Sequence, residues 1–460
     1  MEKFALRREI PVDDGYDIVI AGGGPAGCAA AVCAARLGAR VMIAESLGCL
    51  GGAGTSGLVI EWGNLGRYGT LLVGGFMREI FDEMLIRGFL IQWCKEKTEI
   101  DMFAGIPFDA EGLKLVLDDF MEKEKVEVRF FTQVIGVDKD EASLHVNGVV
   151  VSNIEGLRFI KAKTFIDCTG DAVLAKMCGV PCEEPATVMP PNLMAICSGA
   201  DFEKMNLNYN GGQIEDQQKY LEKALEDNFF SQPDRHLAGL FKSVGDSVSM
   251  NCGHIFGMNP LNCRSLSDSM VKGRRLVQEY LRFFREYCPG CKDLYLVTTA
   301  TLLGIRDSRR IKGEYWLNYE DYVHRRKFPD QIALNAQNID IHPLDASAKE
   351  YERFHNQFFE TNHYGPGEYF GIPYGVLVPK GSQNLWVAGR SVSCDTQMHG
   401  SIRQQLCAYM FGQAAGVAAV QSIQTGQKAN ELNTASLVKT LRLQGAILPQ
   451  DELSETMTRN

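Results

Sequence analysis

The sequence predicts an α/β fold in which a three-layer domain, made of a parallel sheet, helices and a β-meander, carries a second α+β domain. Three observations predict this fold. A strand–turn–helix–strand pattern fills residues 16–44, and strand-like segments with hairpin turns fill residues 126–165. Two further apolar runs, at 164–171 and 384–390, each end in a glycine-containing loop. Since the last run lies far along the chain, the first domain is expected to be discontinuous.

The first unit contains two strands and one helix. Residues 16–21 form a short apolar run typical of a buried parallel strand, and residues 29–37 form an alanine-rich helix that Gly38 ends. Residues 40–44 are the second strand, and Glu45 closes it. This pattern predicts a βαβ unit with a glycine-rich turn between its first strand and its helix.

The remaining segments of the first domain follow in order. Residues 113–125 have the period of an amphipathic helix, and residues 126–165 predict three or four antiparallel strands. Residues 164–171 predict a strand that returns to the first sheet, as do residues 384–390. A helix at about 401–420 follows, and its small residues would let it approach a neighbouring helix closely.

The pattern loosens between about residues 190 and 370. Asparagine-rich loops, aromatic residues and a charged helix at 270–287 indicate a second domain there. The expected boundaries are 1–190 together with 370–425 for the first domain and 190–370 for a substrate or cap domain. Residues 425–460 form a C-terminal segment without an interpretable pattern.

Gly22, Gly24 and Gly27 form a Gly-x-Gly-x-x-Gly pattern whose context predicts dinucleotide binding. Gly22 makes the tight turn, Gly24 lets backbone N–H groups reach a pyrophosphate, and Gly27 permits close packing of helix on strand. The positive end of the helix dipole favours the phosphates. Glu45 can accept both ribose hydroxyls, which favours FAD or NAD over a 2′-phosphorylated cofactor. The alternative is a glycine-rich turn without a ligand.

Features further along the chain favour FAD over NAD. A second glycine pair follows Glu45, and the loops after two later strands could reach an extended FAD, whose ring system lies far from its adenine. An NAD domain needs no strand from the far end of the chain. The predicted cofactor-binding residues are Gly22, Gly24, Pro25, Ala26, Gly27, Glu45, Ser46, Gly51, Gly52, Gly170, Asp171, Gly389, Gly400 and Ser401. The FAD is expected to be non-covalent, because Cys49 is interpreted as a packed or exposed thiol.

Four blocks of sequence resemble the bacterial FAD-dependent oxidoreductase family, which has a glutathione-reductase-type FAD-binding domain. They are residues 16–52, 165–171, 303–315, and 372–379 continued through 388–390 to 412–416. The resemblance implies the fold, FAD as the cofactor, and an enzyme that transfers a hydride or electron pair between a small organic substrate and flavin N5. It does not assign the substrate.

Arg390, His399 and Arg403 are the predicted catalytic residues. Arg390 follows the returning strand, and the other two open the predicted last helix, whose N-terminus near Ser401 is expected at the flavin ring. The arginines could hold an anionic substrate group while His399 moves a proton. The alternative is that these residues contact FAD itself.

Other polar residues leave two interpretations open. Arg306, Arg309 and Arg310 share one face of a predicted helix, where they could bind substrate or form ion pairs. His254 and His363 stand in loops and could line the active site or be structural.

The cysteines and histidines give no further prediction of chemistry. Cys288 and Cys291 have the spacing of a redox dithiol, but a turn is the preferred interpretation. No Cys/His cluster has convincing zinc spacing, so no metal is predicted. Fourteen cysteines lack the regular spacing of a secreted disulfide scaffold.

Composition and charge limit the classes to which the protein can belong. The 460 residues are 45% hydrophobic and carry a formal net charge of −10, which disfavours nucleic acid as the main partner. The stretch from Arg264 to Lys327 is locally basic, with fourteen Lys and Arg against eight Asp and Glu, which fits either a solvated face or an anion pocket. The charged N-terminus lacks the apolar region of a signal peptide, and no apolar run reaches the length of a membrane span.

These observations predict a cytoplasmic enzyme acting on a small molecule, without a nucleic-acid or membrane partner. They give no oligomeric state and no electron acceptor. Two other classes stay open: a flavoprotein in which FAD is structural or assists RNA modification, and an NAD-dependent dehydrogenase.

Overall fold

The computed structural model describes residues 7–90, 105–140, 142–205, 207, 214–357 and 363–449. The first six residues of the charged N-terminus and residues 450–460 of the predicted C-terminal segment lie outside the described residues.

The described elements alternate between short strands and helices. The strands are β1 Val12–Ala21, β2 Val41–Ala44, β3 Glu61–Trp62, β4 Gly66–Arg67, β5 Thr70–Leu71, β6 Ile106–Pro107, β7 Glu127–Arg129, β8 Gln133–Lys139, β9 Val146–Asn153, β10 Gly156–Asp167, β11 Cys182–Glu183, β12 Ala195–Ser198, β13 Gly239–Lys242, β14 Val248–Asn251, β15 Tyr295–Thr299, β16 Arg310–Ile311, β17 Gln331–Asn335, β18 Phe370–Pro373 and β19 Leu385–Val387. The α-helices are α1 Pro25–Ala35, α2 Phe76–Ile86, α3 Ala110–Lys123, α4 Val173–Met177, α5 Phe202–Met205, α6 Gln217–Glu226, α7 Cys263–Tyr287, α8 Tyr319–Val323, α9 Ala348–His355, α10 Thr396–Ile402, α11 Gln405–Thr425 and α12 Thr434–Leu443. Short 3-10 turns lie at Gly52–Gly54, Tyr374–Val376 and Ala429–Glu431.

A parallel sheet with an antiparallel extension forms the centre of the molecule. Its parallel part runs β7-β2-β1-β10-β19, and β8 and β9 join the first half of β10 as an antiparallel meander. The long strand β10 therefore takes part in both the meander and the parallel sheet. The predicted α/β class, the β-meander and the two returning strands are confirmed.

Helix α1 begins at the glycine loop because Gly24 occupies the N-cap and Pro25 the first helical position, where its missing N–H costs nothing. Nine of its eleven residues, all small or apolar, are buried, so the helix packs on both sides. One side faces the sheet and the other faces α11, a second helix rich in small residues. This packing fixes the N-terminus of α1 at the edge of the sheet.

A separate hydrophobic core lies around the four-stranded antiparallel sheet β13-β14-β12-β15 and helix α7. Its buried apolar residues fall between Leu193 and Leu303. Apolar residues from Leu317 to Val378 instead join the main core with α1 and α11. The domain boundaries predicted at residues 190 and 370 stay predictions.

The predicted helix carrying three arginines is wrong. Residues 301–309 form no helix, because their backbone bonds to distant segments: the N–H of Thr301 donates to the Ser56 carbonyl at 3.0 Å, and that of Gly304 to the Asn192 carbonyl at 2.9 Å. The arginines at 306, 309 and 310 therefore point to different surroundings.

The single helix predicted at 401–420 is also wrong in its bounds. The chain forms α10 and α11 with a break at Arg403 and Gln404, where Gln404 has an extended ψ of 154°. Gly400 and Ser401 consequently lie in the last turn of α10 and not at a helix N-terminus. The Gly-Ser pair packs against residues 335–341.

Among the described residues, α11 is long and apolar enough by composition to cross a membrane. However, 89% of that stretch is buried within the protein, which is the behaviour of a core helix. The feature is weak evidence for a membrane segment.

Candidate functional site

The glycine loop between β1 and α1 has the geometry of a phosphate cradle. Gly22 has a φ of +96°, and a Cβ there would lie 2.7 Å from the Cys168 carbonyl oxygen. A Cβ on Gly27 would lie 1.9 Å from the Gly22 oxygen, so helix and loop are in direct contact. A Cβ on Gly24 would meet nothing within 4 Å, so the loop leaves open space in front of the helix N-terminus. The tight turn at Gly22 and the close packing at Gly27 have the geometry that the sequence predicts, and the role of Gly24 at a pyrophosphate stays a prediction.

Glu45 stands at the end of β2 with its carboxylate turned toward the glycine loop. Its two oxygens accept backbone N–H groups from Gly23, at 2.6 Å, and from Leu47, at 2.8 Å. The Ser46 hydroxyl donates to one of these oxygens at 3.3 Å, so of the about four acceptor positions of a carboxylate one remains for a ribose hydroxyl. The side chain is buried, and both N–H donors hold it in one orientation.

The second glycine pair closes the other side of the cradle. Gly51 and Gly52 both have positive φ, and the Gly51 N–H donates to the Gly23 carbonyl at 2.9 Å. A Cβ on Gly52 would lie 3.1 Å from the Cα of Gly24, so this turn and the glycine loop form one surface. Ser46 is exposed beside Glu45. The donor set and the open space together fit the pyrophosphate and ribose of a dinucleotide.

The loops after β10 and β19 meet beside the N-terminus of α1. Gly389 has a φ of +96° and lies next to Ala26, at 3.4 Å between built Cβ positions. Arg390 donates to the carbonyls of Gly170, at 3.0 Å, and Ile305, at 2.7 Å, and pairs with the Asp171 carboxylate at 2.5 Å. Arg390 thus ties three chain segments together, and its guanidinium is largely engaged by the protein.

His399 lies inside the protein and does not face solvent. Its Nε2 is 2.8 Å from the carbonyl oxygen of Arg306, and Nδ1 has no hydrogen-bond partner among the described residues. Burial, with nearby arginines, holds the pKa of His399 well below its usual range, so the ring is neutral. A neutral ring with Nε2 next to a carbonyl carries its proton on Nε2.

Arg403 lies at the break between α10 and α11. One terminal nitrogen donates to the Asp340 carboxylate at 2.6 Å and to the Asp340 carbonyl at 3.2 Å, while its Nε is buried without a partner among the described residues. Beside this break, a narrow cleft is lined by Asn64, Gln337 and Gln404. The structure therefore brings Arg403 and Arg390 to different partners.

Arg306 is the arginine with the fewest protein contacts at this place. It is partly accessible, and its only hydrogen bond to the described residues goes to the Pro190 carbonyl at 2.8 Å. Burial and the charge of Arg403 lower the pKa of Arg306 to about 9, so it stays charged at neutral pH. By contrast, the buried Arg310 bonds Asp307, the Cys394 carbonyl and Thr396. Arg309 bonds Glu184 and the Asp171 carbonyl.

Three histidines come together from three separate loops near Arg306. His236, His254 and His342 place one ring nitrogen each within 4.8 Å of one another. Burial lowers the pKa of His236 to about 4 and that of His342 well below its usual range. His363, by contrast, lies 3.2 Å from the Asn338 side chain.

The sequence analysis missed His236 and His342, although a signal was available. Both stand two positions after an aspartate, in Asp234-Arg-His236 and Asp340-Ile-His342. The repeated Asp-x-His pattern places a carboxylate beside a ring twice.

Glu61 is a second residue that the sequence analysis missed. Its carboxyl is deeply set and has no hydrogen bond or ion pair with any residue that the structure describes. Burial alone raises the pKa of Glu61 to about 7. The sequence carries no signal for it, because the burial depends on packing against strand β6.

Cys288 and Cys291 form the turn after α7 that the sequence predicted, and both are buried. Burial raises the pKa of Cys291 to about 12, so its thiol stays protonated.

Comparisons with known proteins add the following findings. A model of a family described as "FAD dependent oxidoreductase" matches residues 17–441. A tRNA uridine 5-carboxymethylaminomethyl modification enzyme, MnmG, from Chlamydia abortus is 23% identical over 367 residues, covering 67% of this chain and 56% of that protein. The chain thus spans little more than half the length of that relative.

Two solved structures align with most of the chain at low identity. A geranylgeranyl bacteriochlorophyll reductase-like protein from Thermoplasma acidophilum aligns at 15% identity with a TM-score of 0.47, covering 94% of this chain and 83% of that one. The p-nitrophenol 4-monooxygenase PnpA from Pseudomonas putida aligns at 12% identity with a TM-score of 0.48, covering 97% and 92%.

Proposed function

The chain belongs to the FAD-dependent oxidoreductase family and uses FAD, and from that premise we propose that its substrate is a small organic molecule with an anionic group. The substrate would lie between the main core and the core around α7, and it would exchange a hydride or electron pair with the flavin. The main evidence for this proposal is the surroundings of Arg306, and the neighbouring Arg403 adds to it.

The residues that would hold FAD are those of the cradle and its neighbours. Gly22, Gly24 and Gly27 with the N-terminus of α1 would bind the pyrophosphate, and Glu45 would accept a ribose hydroxyl. When bound, FAD supplies a two-electron acceptor and donor at N5. The loops at Gly170 and Gly389 lie beside α1 and would carry the cofactor toward the junction of α10 and α11.

Arg306 is suited to bind an anion because its guanidinium is partly accessible and makes few bonds to the protein. A guanidinium has five N–H donors, and only one is used here within the described part of the chain. The remaining N–H groups are therefore available to a ligand or to water. A carboxylate or similar group could accept two of them in parallel and so orient the reacting carbon.

His399 and Arg403 would act around Arg306. His399 donates from Nε2 to the Arg306 carbonyl and so positions the backbone of Arg306. Asp340 pairs with Arg403, and its negative charge limits the net positive charge around the two arginines. In this proposal His399 is a positioning residue, and the anion contacts Arg306 first.

The test is a screen of small acids, sugars and amines for bleaching of the flavin band under argon, followed by Arg306→Gln. We expect the variant to keep full FAD content and to lose affinity for an acidic substrate by about 10-fold to 100-fold, as for a lost charged hydrogen bond. Arg264→Gln is the matched control, since the Arg264 side chain is 87% exposed and makes only a surface ion pair with Asp268.

Three outcomes would contradict the proposal. If only uncharged compounds bleach the flavin, the substrate has no anionic group. If the Arg306 variant loses FAD, Arg306 is a cofactor ligand and not a substrate ligand. Turnover that requires tRNA would favour RNA modification, the activity of the Chlamydia abortus relative; the net charge of −10 argues against that role.

We also propose a cytoplasmic location.

A further inference from the structure

Two buried histidines and one partly accessible histidine form a cluster that flavin chemistry does not account for. His236 comes from the loop before β13, His254 from the loop after β14, and His342 from the loop after β17. The rings of His236 and His254 stack at 5.2 Å, and the His342 ring stands edge-on to both. Aromatic packing alone would not require nitrogen atoms to face each other.

His254 and His342 each turn one ring nitrogen toward the other ring and the second nitrogen toward a carboxylate. Nε2 of His254 lies 2.8 Å from Nδ1 of His342. The other nitrogens face carboxylates: Nδ1 of His254 lies 3.0 Å from Asp234, and Nε2 of His342 lies 3.4 Å from Asp340. Each neutral ring carries one N–H, and Nδ1 of His254 makes no hydrogen bond with any described residue despite its distance from Asp234. If both protons face the carboxylates, two lone pairs face each other at 2.8 Å.

A cation between the two facing nitrogens could accept a lone pair from each ring. A shared proton would explain the pair, but it would leave His236 without a role. The His236 ring makes no hydrogen bond with any residue the structure describes, and its nitrogen is turned toward the same point as the other two. Three imidazole nitrogens that converge form a familiar set of ligands for a divalent metal.

We propose that His236, His254 and His342 bind a divalent transition-metal ion of the Zn²⁺ class. The ion would take Nε2 of His254 and Nδ1 of His342 as ligands, with His236 as the third, and would leave a further position open. Neighbouring nitrogens around a tetrahedral ion at about 2.0–2.1 Å stand roughly 3.3 Å apart, so the first two, now 2.8 Å apart, would move apart by about half an ångström. His236 would close the remaining distance by a rotation, for which its partly accessible ring has room.

Asp234 and Asp340 complete the arrangement around the ligands. A ligating histidine usually donates its second N–H to a carboxylate, which fixes the ring and makes the ligand more basic. Here both central histidines have such a carboxylate, and Asp234 is itself held by the backbone N–H groups of His236 and His254. The two aspartates also bring negative charge to offset that of the ion. The inference does not depend on the proposed substrate.

The experiment uses the full chain loaded with FAD. Metal is removed by chelation, Zn²⁺ is added back, and bound zinc and bound FAD are measured separately per chain. We expect one tightly bound zinc, a higher melting temperature on adding zinc, and an X-ray absorption signal of nitrogen ligands at about 2.0–2.1 Å.

Substitutions of the histidines and of Asp234 test which residues bind the zinc. His254→Gln and His236→Gln should lose the zinc and keep FAD, and Asp234→Asn should weaken zinc binding by about 10-fold to 100-fold. His324→Gln is the control, since His324 is exposed on α8 and should leave zinc binding unchanged. Because the buried variants could fail to fold, the absorption spectrum of the unmodified protein stands as an independent test. No stoichiometric zinc, a ligand shell without imidazole, or zinc retained in folded variants would overturn the proposal.

Discussion

Two glycines of the same loop have opposite surroundings. A Cβ on Gly24 would point into open space, and the backbone there has φ −70° and ψ −173°, which alanine adopts freely. A Cβ on Gly27 would collide with the Gly22 carbonyl. The space beside the first glycine is therefore open, and the second glycine is required by the fold.

We predict that Gly24→Ala folds normally and binds FAD about 10-fold or more weakly, because the added methyl group occupies the phosphate space. Gly27→Ala should instead lose about 3 kcal/mol or more of stability, as expected for overpacking against rigid backbone. Titration with FAD and urea unfolding of the apoprotein separate the two effects. Equal loss of stability in both variants would contradict the assignment of Gly24.

Glu61 makes stability depend on pH in a defined direction. Its pKa is raised from the ordinary 4.5 to about 7 by burial, so the folded state holds a proton that the unfolded state releases. Stability is highest below about pH 4.5 and falls as the pH rises to about 7, above which the loss is constant. The full loss is about 3 kcal/mol at most.

We predict that Glu61→Gln is more stable than the unmodified protein at pH 8 and equal to it near pH 4.5. The glutamine cannot ionise, so the cost of burying the charge disappears. Urea unfolding at both pH values measures the difference, and Glu155→Gln, at an exposed side chain, is the control. A difference that is the same at both pH values would show that Glu61 is not protonated in the fold.

Helices α1 and α11 approach each other closely enough to exclude any side chain at two positions. A Cβ on Gly412 would lie 2.0 Å from the Ala26 oxygen, and one on Gly416 would lie 2.3 Å from the Ala30 oxygen. The contact joins the helix that begins at the cradle to the helix that begins at Gln405. It therefore fixes the distance between the two ends of the candidate site.

We predict that Gly412→Ala and Gly416→Ala each destabilise the fold by about 1–3 kcal/mol. Alanine would gain about 1 kcal/mol from helix propensity, but the two backbones would have to separate by more than an ångström. Thermal unfolding measures the effect, with the exposed Gln424→Ala as control on the same helix. Stabilisation by either glycine replacement would show that the helices are not in backbone contact.

The sequence was a good guide to elements whose pattern is local. The βαβ unit, the meander and the strand at β19 follow from apolar runs and turn residues, and all are present. The arginine segment at 301–309 was misread, because arginine spacing resembles a helix face while distant carbonyls of Asn192 and Ser56 hold the backbone. The break at Arg403 has no proline or glycine to signal it. It follows a residue, Gly400, on which a Cβ would lie 3.1 Å from the Asp340 carbonyl oxygen.

For the molecule as a whole, the candidate site is assembled by contacts between segments remote in sequence. Arg390 joins the loop after β10, the loop after β19 and residue 305, while Arg403 joins α10 to Asp340. Local patterns predicted the cradle, since its residues lie within a short stretch. They could not predict the Arg306 and histidine surroundings, because those depend on three loops meeting between two cores.

The core around α7 also bears on which compound reduces the flavin. The sequence between Asp171 and Asn384 contains no second Gly-x-Gly-x-x-Gly unit. The core between Leu193 and Leu303 is built on an antiparallel sheet, and its described residues contain no parallel βαβ unit. A nicotinamide dinucleotide would therefore lack the glycine turn and helix N-terminus that usually hold its pyrophosphate.

We accordingly predict that NADH and NADPH are poor direct reductants of the bound FAD. The measurement is the rate at which the flavin absorption band bleaches under argon after mixing with each nucleotide. Dithionite, which needs no binding site, is the control and should bleach the same sample completely. Rapid, stoichiometric bleaching by either nucleotide would mean that it binds elsewhere on the molecule. The open face beside Arg306 would then be the first place to examine, because a pyrophosphate is itself an anion that a guanidinium can hold.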